Sequence, residues 1–345
     1  MKTVLVILMF GGLVIGGLVQ PSFAVDLETA VRRGLSRVQD AAVNWHSNED
    51  CFSCHHHTLP MLAVQQSVRV GLQLDIDWMK VQADATHSYF EQRIDEMNVG
   101  SHVPGGAATV GYGLWALSLN EHASDETTTA MVEYLLQIQG VARLKNGRRT
   151  EITNVNRGRW MASCRRPPLQ ASMVGDTVLS LIGIERYAAE EQKSRAAIAR
   201  TDADKWLATV PLITLQDRLW RLWGLHYLGG EDKIKRIVRD AILADQRSDG
   251  GWAETKDRPS DALSTGQTIV VLRHAGTAAD DAAIIRGRDF LLRTQHADGS
   301  WKVVSHTKPV QPFFDNGDPH GKSQFLSVAA TAWATSALVR LMPLQ

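Results

Sequence analysis

Residues 240–252 read Asp-Ala-Ile-Leu-Ala-Asp-Gln-Arg-Ser-Asp-Gly-Gly-Trp, and residues 289–301 read Asp-Phe-Leu-Leu-Arg-Thr-Gln-His-Ala-Asp-Gly-Ser-Trp. In both stretches a helical pattern stops at a glutamine and is followed by an Asp-Gly turn and a tryptophan. Glycine accepts the positive φ found at helix ends, so each turn marks the end of a helix. The glutamine amide can bond backbone groups there, while the tryptophan covers the helix end. The repeat therefore predicts helical hairpins.

Helical periodicity extends over the rest of the chain, and two kinds of helix alternate along it. Helices rich in small residues are predicted at 57–72, 106–118, 171–187, 217–228, 261–275 and 327–342. Longer and more charged helices are predicted at 27–43, 78–97, 125–139, 193–209, 231–245 and 279–296. Small residues let inner helices pack closely, whereas charged helices suit an outer layer facing water. The alternation predicts an all-α (α/α)6 toroid, or barrel, of helical hairpins; an array open at both ends is the alternative.

The composition excludes some classes of protein. The chain has 345 residues, with 37 Lys and Arg against 37 Asp and Glu, and 44% of its residues are hydrophobic. Such a composition is typical of a globular protein and not of a disordered one. The zero net charge argues against a nucleic-acid partner, because proteins that bind phosphates normally carry a basic excess.

Residues 1–24 have the organisation of a secretory signal peptide. Lys2 gives a basic start, residues 4–19 are almost entirely apolar, and Ser22 and Ala24 offer small residues to a signal peptidase. Cleavage after Ala24 would leave a single toroid domain, residues 25–345, with no transmembrane span. The protein is therefore predicted to be exported to the periplasm or the cell exterior. An uncleaved membrane anchor is the alternative.

The two repeats resemble the QW repeats of the terpenoid cyclase and protein prenyltransferase superfamily, especially the C-terminal part of squalene–hopene cyclases. Segments 260–267 and 319–327 also resemble a bacterial branch of exported squalene-cyclase-like proteins. The likeness covers roughly residues 100–345 and implies an α/α-toroid fold. In these families the repeat residues are structural, and the resemblance implies the same role for Gln246, Trp252, Gln295 and Trp301.

The fold does not determine the activity. Squalene–hopene cyclases protonate their substrate with an Asp-x-Asp-Asp motif, and this sequence contains neither that motif nor the Asp-Asp-x-x-Asp motif that binds metal and diphosphate. Its nearest match begins at Asp261, at the start of an inner helix, so Asp261 is one candidate catalytic acid; a helix cap is its alternative role. Asp176, within an apolar inner helix, is a second candidate, because burial would raise its pKa; the alternative is a hydrogen-bonded core residue.

Residues 51–55, Cys-Phe-Ser-Cys-His, match the Cys-x-x-Cys-His pattern of covalent c-type haem attachment. Two thiols one turn apart can add to the two haem vinyl groups, and the next residue supplies an imidazole to the iron. The pattern occurs in a chain with an export signal, and bacteria attach this haem outside the cytoplasm. It predicts Cys51, Cys54 and His55 as haem-binding residues, with His55 as the iron ligand.

Other uses of the same segment remain open. A zinc ion would need two thiolates, an imidazole and a fourth ligand from elsewhere in the chain. The candidate zinc ligands are Cys51, Cys54, His55, His56, His57, His102 and Cys164. A disulfide between Cys51 and Cys54, or free thiols with no cofactor, are the remaining alternatives.

Three functions follow from these patterns. A haem would make this an exported protein for electron transfer or redox sensing, with a redox partner. The family resemblance implies instead an enzyme or binding protein for an isoprenoid or other apolar small molecule in the barrel lumen. A non-catalytic module that displays its loops to a protein partner is the third. In a closed ring, the haem motif, Asp261 and the long segments 140–170 and 297–326 share one face, where we expect the site.

Overall fold

The computed structural model describes residues 26–101, 103–141, 152–307 and 312–343. Over these ranges the regular structure is helical, with isolated β-bridges but no strand. The helices are α1 (Leu27–Asn48), α2 (Leu59–Arg69), α3 (Asp77–Glu91), α4 (Ile94–Asn98), α5 (Ala107–Leu119), α6 (Glu126–Ile138), α7 (Met173–Tyr187), α8 (Lys193–Thr209), α9 (Leu215–Tyr227), α10 (Asp232–Ala244), α11 (Ala262–His274), α12 (Ala282–Thr294) and α13 (Gln324–Val339). A π-helical turn, Cys54–Thr58, runs directly into α2.

Alternate helices form a closed inner ring, in which each member packs against the next: α2, α5, α7, α9, α11 and α13. The ring closes where α13 packs against α2. Around it lie α1, α3, α6, α8, α10 and α12, and each of these outer helices contacts at least one inner helix. The predicted all-α (α/α)6 toroid is therefore confirmed, and the open array is wrong. The outer helix predicted at 78–97 is divided into α3 and α4.

Burial follows the two kinds of helix. Nearly all side chains of α11 and α13 are buried, because neighbours surround these helices on every side. In contrast, α10 buries Val238 and Ile242 and presents charged residues to solvent. A Cβ on Gly266 of α11 would lie 2.6 Å from the backbone nitrogen of Ala334 on α13, so only glycine allows this close approach. In the described part of the chain, no helix has both the length and the apolar character needed to cross a bilayer.

Four inner helices end with one residue in the left-handed conformation. Gly71 after α2 (φ 96°), Gly229 after α9 (φ 82°) and Gly276 after α11 (φ 84°) occupy this position. After α5 the residue is Glu121 (φ 54°), the one non-glycine residue with a positive φ among the residues described. The hydrogen bonds of Glu121 N to Ser118 O and of His122 N to Leu117 O match those of Gly276 N and Thr277 N at the end of α11. A side chain in this conformation costs about 1–2 kcal/mol, so α5 ends under local strain.

Candidate functional site

The first QW repeat ties α10 to the next hairpin. Gln246, just after α10, donates from Nε2 to Gly250 O (2.8 Å) and to Ala283 O of α12 (2.8 Å). The buried Trp252 donates from Nε1 back to Ile242 O near the end of α10 (2.8 Å). The glutamine thus links consecutive outer helices, and the tryptophan adds a second hydrogen bond to a carbonyl group in the last turn of α10.

The second QW repeat joins the last outer helix to the first. Gln295, after α12, donates from Nε2 to Ala30 O of α1 (2.9 Å), and Trp301 donates from Nε1 to Leu291 O of α12 (2.9 Å). The backbone N–H of Trp301 donates to Thr331 Oγ1 on α13 (3.0 Å), so this repeat also contacts the inner ring.

A third copy of this arrangement, which is not evident from the sequence, lies between α6 and α7. Gln139 donates from Nε2 to Ala199 O of α8 (2.7 Å), and buried Trp160 donates from Nε1 to Leu135 O of α6 (2.8 Å). The backbone N–H of Trp160 donates to Thr177 Oγ1 on α7 (3.0 Å), as in the second repeat. Twenty residues separate this glutamine and tryptophan, against five in the other copies, which conceals the pattern.

The Cys-x-x-Cys-His motif lies at the end of the ring where the inner helices begin. Cys51, Cys54 and His55 line one cavity of about 300 Å³, which Arg166 and Cys164 also line. The toroid therefore brings the third cysteine to the same cavity as the motif. All three cysteines are free thiols; Cys51 is exposed, and the other two are partly exposed.

The imidazoles of His55, His56 and His57 are held in a hydrogen-bonded cluster around Ser53. Ser53 Oγ lies 2.7 Å from His55 Nδ1 and 3.2 Å from His56 Nδ1, and the two Nδ1 atoms are 2.6 Å apart. Backbone atoms of Ser53 lie 3.1 Å from His57 Nδ1. His56 Nε2 is 2.6 Å from Asn316 Nδ2. Because Nδ1 of His55 is engaged, Nε2 is the nitrogen through which this residue could bind an iron.

Aromatic packing holds these histidine rings in position, and burial determines their protonation. Trp45 stacks on His56 with ring centroids 4.4 Å apart, and Phe325 stacks on His55 at 5.8 Å. Burial lowers the pKa of His55 to about 3 and the pKa of His56 well below its usual value. Both imidazoles are therefore neutral at pH 7, the form that binds metals. Burial also raises the pKa of Cys54 to about 11, so its sulfur is a neutral thiol.

The zinc alternative would require these side chains to rearrange. Within the described residues, the one place where three His, Cys, Asp or Glu ligand atoms lie within 4.8 Å of one another is formed by His87, His122 and Asp125. The thiols of Cys51 and Cys54 are not part of it. His102, the candidate distant ligand, lies outside the described residues, and so does the predicted signal peptide, residues 1–24.

Asp261 caps an inner helix at the same end of the ring. Its Oδ1 accepts a hydrogen bond from Ser264 N (2.7 Å) and its Oδ2 accepts one from Ser264 Oγ (3.1 Å). Burial raises the pKa of Asp261 to about 6. The side chain also lines a cavity of about 230 Å³ with Glu254 and His306, so the segments before α11 and after α12 meet here.

Asp176 is buried in the first turn of α7. Its Oδ2 accepts a hydrogen bond from Ala162 N (2.7 Å), and burial raises its pKa to about 7. Asp176 and Asp261 begin different inner helices, and neither is among the described residues that line the cavity of the cysteine motif. Each carboxyl group is a weak acid with a structural hydrogen bond, and a catalytic role for either stays a prediction.

A larger cavity, of about 660 Å³, lies at the opposite end of the ring, where the inner helices end. Its apolar wall consists of Leu114, Trp115, Leu179, Ile182, Trp220 and Trp223. The rings of Trp115 and Trp223 are 5.6 Å apart and nearly perpendicular, and the ring of Trp333 is 6.2 Å from Trp115. Tryptophans from α5, α9 and α13 thus meet in the centre of the toroid, away from the face where the sequence predicts the site.

Basic side chains gather around the same end of the ring. Arg69 and Arg186 line the cavity, together with Glu121 and Glu185. Burial, with Arg273 and Arg69 nearby, lowers the pKa of Arg340 to about 10. Arginine and glutamate side chains therefore share the rim of this cavity, where they could hold the polar end of a ligand.

The fold and these cavities define an α/α-toroid protein. Two known proteins of terpenoid metabolism have sequences similar to parts of this chain. A squalene–hopene cyclase of Bradyrhizobium diazoefficiens is 26% identical over 136 residues, which cover 32% of this chain and 20% of the cyclase. A drimenyl diphosphate synthase of Streptomyces showdoensis is 31% identical over 61 residues, which cover 18% of this chain and 11% of the synthase. The matched segments thus span a fifth or less of these relatives. No family model matches the sequence.

Solved structures share the toroid over nearly the whole chain. The unsaturated glucuronyl hydrolase of Bacillus sp. GL1 aligns with a TM-score of 0.54 at 12% identity, covering 92% of this chain and 97% of the hydrolase. The type II terpene cyclase MstE of Scytonema aligns with a TM-score of 0.50 at 13% identity, covering 91% of this chain and 97% of the cyclase. A hydrolase and a cyclase share this fold, so the likeness establishes the fold alone.

Proposed function

We propose that this toroid binds an elongated apolar molecule of the isoprenoid class in the tryptophan-lined cavity. The observation that carries the proposal is the wall of Trp115, Trp220 and Trp223 around about 660 Å³. A cavity of this size, with an aromatic wall and a polar rim, suits a small-molecule ligand that has an apolar body and a polar end. The sequence likeness to a squalene–hopene cyclase and a drimenyl diphosphate synthase supports the same class of ligand.

The two ends of the cavity indicate how such a ligand would lie. The hydrocarbon chain would pack against the indole rings, and its burial would supply most of the affinity. A polar head, such as a hydroxyl or diphosphate group, would lie near Arg69 and Arg186 at the rim. Charge-assisted hydrogen bonds from guanidinium groups would then fix the orientation of the ligand.

Calorimetric titration with farnesol, farnesyl diphosphate and squalene tests this proposal. Ile182→Trp adds an indole ring to the cavity wall without removing an existing one, and should weaken binding by about tenfold or more. Ile237→Trp is the matched control, because Ile237 is exposed on outer helix α10. The proposal fails if none of the three compounds binds, or if Ile182→Trp and Ile237→Trp bind equally well.

Catalysis on such a ligand would need an acid. The candidates Asp176 and Asp261 lie where inner helices begin and do not line this cavity, so an elongated ligand would have to extend through the ring to reach either of them. Incubation with squalene, followed by gas chromatography and mass spectrometry of the products, tests for turnover. If the wild type is active, Asp176→Asn and Asp261→Asn identify the acid. If it is inactive while the ligand binds, the cavity is a binding site and not the site of this reaction.

A second proposal concerns the cysteine motif: we propose that Cys51 and Cys54 attach a haem covalently and that His55 ligates its iron. The supporting observation is that the three side chains line one cavity and that Ser53 engages His55 Nδ1, which leaves Nε2 for the iron. When bound, the haem would supply a one-electron redox centre. Stacking against Phe325 would hold the ligand imidazole in place. The proposal includes export to the periplasm or cell exterior and a role in electron transfer or redox sensing.

Expression with a c-type haem maturation system tests this second proposal. The denatured protein should keep a haem spectrum and show the added mass of one haem. Cys51→Ser/Cys54→Ser should lose both signals, whereas Cys164→Ser, which changes another thiol of the same cavity, should keep them. Wild-type protein without covalent haem under these conditions would contradict the proposal.

A further inference from the structure

Two imidazoles and one carboxylate meet where α3, the end of α5 and the start of α6 come together. His87 Nε2 lies 2.7 Å from Asp125 Oδ2, and His122 Nε2 lies 2.9 Å from the same oxygen. The His87, His122 and Asp125 side chains are 21%, 27% and 35% exposed, so solvent reaches the group. All three candidate ligand atoms lie within 4.8 Å of one another.

The carboxylate of Asp125 is held in position by the helix that it caps. Its Oδ1 accepts a hydrogen bond from Thr128 N (2.9 Å), which leaves Oδ2 to face the two imidazoles. Thr128 Oγ1 lies 3.1 Å from the same Oδ1 and donates to it as well. Since hydrogen bonds of this kind orient the ligands of metal sites, the carboxylate is already fixed in the direction that an ion would need.

The surrounding charges favour a cation. The segment 119–138 contains no Lys or Arg, whereas Glu121, Asp125 and Glu126 are acidic. Among the described residues, the ion-pair partners of Asp125 are His87 and His122. Within the described residues, no Lys or Arg forms an ion pair with this carboxylate. A metal cation bound between the three side chains would supply the missing positive charge.

The backbone next to this group is strained, because a non-glycine residue has a positive φ there. The turns at the ends of three other inner helices have glycine at this position. Glu121 holds φ 54° immediately before His122, at the position where Gly71, Gly229 and Gly276 end other inner helices. Strain of about 1–3 kcal/mol at a single residue is typical of ligand-binding sites, where the surrounding contacts maintain it. In the described part of the chain, the one inner helix that ends on a strained non-glycine residue is therefore the helix next to these imidazoles and this carboxylate.

We propose that His87, His122 and Asp125 bind one divalent first-row transition-metal ion, such as Zn²⁺, through the two Nε2 atoms and Oδ2. Two imidazoles and a carboxylate suit zinc, iron(II) and related ions, and three protein ligands leave coordination positions open. Tyr187 OH donates to His122 O (3.3 Å), and both Tyr187 and Glu121 line the tryptophan cavity. The ion would thus lie behind the cavity wall and hold α3, α5 and α6 together there.

The test uses the full-length, tag-free protein with Cys51→Ser/Cys54→Ser/Cys164→Ser, because these changes remove thiolate binding elsewhere. After treatment with a chelator, Zn²⁺ is titrated calorimetrically, and one tight equivalent is expected. His87→Gln/His122→Gln keeps amide donors for Asp125 but removes both imidazole ligands. It should weaken Zn²⁺ binding by at least about tenfold, since even residues that merely support a ligand have effects of this size.

The matched control is His296→Gln/His320→Gln, another pair of imidazoles with ring centroids 5.0 Å apart, which should leave Zn²⁺ binding unchanged. Asp125→Asn keeps an oxygen for the α6 cap and covers the case in which the double His variant does not fold. It should lose the Zn²⁺ equivalent with little change in Tm. The proposal is overturned if the cysteine-free protein binds no tight Zn²⁺, or if folded His87→Gln/His122→Gln or Asp125→Asn binds it equally tightly.

Discussion

The side-chain amide of Gln295 donates to the carbonyl oxygen of Ala30 across 2.9 Å, although the two residues are 265 positions apart in sequence. Gln139 and Gln246 make the same bond to the next outer helix along the chain. Gln295 makes it to the first one. A single local motif thus both stacks consecutive hairpins and closes the outer layer of the ring.

Replacing Gln295 should weaken the contact between α1 and the end of α12. Gln295→Ala removes the donor to Ala30 and is expected to lower the free energy of unfolding by about 1–2 kcal/mol. Backbone amides of α1 should exchange with solvent faster, since this helix loses its link to the end of α12. Urea unfolding and hydrogen exchange measure the two effects. Gln92→Ala, at an exposed position, is the control; an equal response of the two variants would contradict the closing role.

Substitution of Gly158 tests how closely the third repeat packs against α8. It has φ 87°, and a Cβ there would overlap the carbonyl oxygen of Asp202 on α8, whereas Gly229, with φ 82°, has open space at the same position. Gly229→Ala should cost about 1–2 kcal/mol from the backbone conformation alone. Gly158→Ala carries the same cost plus the overlap, and should be less stable than Gly229→Ala by at least about 1 kcal/mol. Equal unfolding free energies would show that α8 is not packed closely at this turn.

Asp176 should make the protein less stable as the pH rises. Burial raises its pKa from 3.8 to about 7 in the folded state, so the folded protein holds the proton that the unfolded chain has lost. The free energy of unfolding should therefore fall between about pH 4 and pH 7 and show no further decrease from this group above pH 7.

Asp176→Asn isolates this contribution. The amide keeps an oxygen that can accept from Ala162 N but cannot ionise, so the variant should be more stable than wild type at pH 8 by about 2–4 kcal/mol. Urea unfolding at several pH values measures the difference. Asp280→Asn, at an exposed position, should follow the wild-type profile. A wild-type profile that Asp176→Asn leaves unchanged would mean that this carboxyl ionises freely in the folded protein.

The two cysteines of the motif should differ in reactivity when the protein carries no haem. Burial raises the pKa of both thiols, that of Cys54 from 9.0 to about 11, but Cys51 is the more exposed of the two. At pH 8 the thiolate fraction of Cys54 falls about 100-fold, so iodoacetamide should modify Cys51 much faster. Mass spectrometry of timed digests follows both sites, and equal rates in urea serve as the control. Comparable rates in the folded protein would contradict the burial of Cys54.

The fold was predictable because its strongest signals are local. The ends of α10 and α12 are each specified within a few residues of Gln246 and Gln295, where the turn, the amide and the indole ring follow one another. The third copy was hidden because a longer segment separates Gln139 from Trp160. The remaining signal is a Gly-Arg-Trp sequence at 158–160, followed by Thr177, which plays the part of Thr331.

The sites were less predictable because they depend on contacts between distant helices. The sequence identified the cysteine motif, the end of the ring that carries it and Cys164 as a candidate ligand beside it, but not the cavity that these residues line together. Trp115 and Trp220 each have ordinary helical packing positions, and their shared cavity exists only because the ring brings α5 and α9 together. Likewise, no local spacing relates His87 to Asp125, which lie 38 residues apart.

The contacts of α13 with both α1 and α2 have a consequence for the kinetics of folding. An open array of hairpins can gain or lose repeats one at a time from its ends, because each repeat contacts only its neighbours. Here the final helix reaches its full set of contacts only after it meets helices formed from the beginning of the chain. Contacts of such large sequence separation slow folding, so refolding of this chain should be slow and its last step should be the docking of α13.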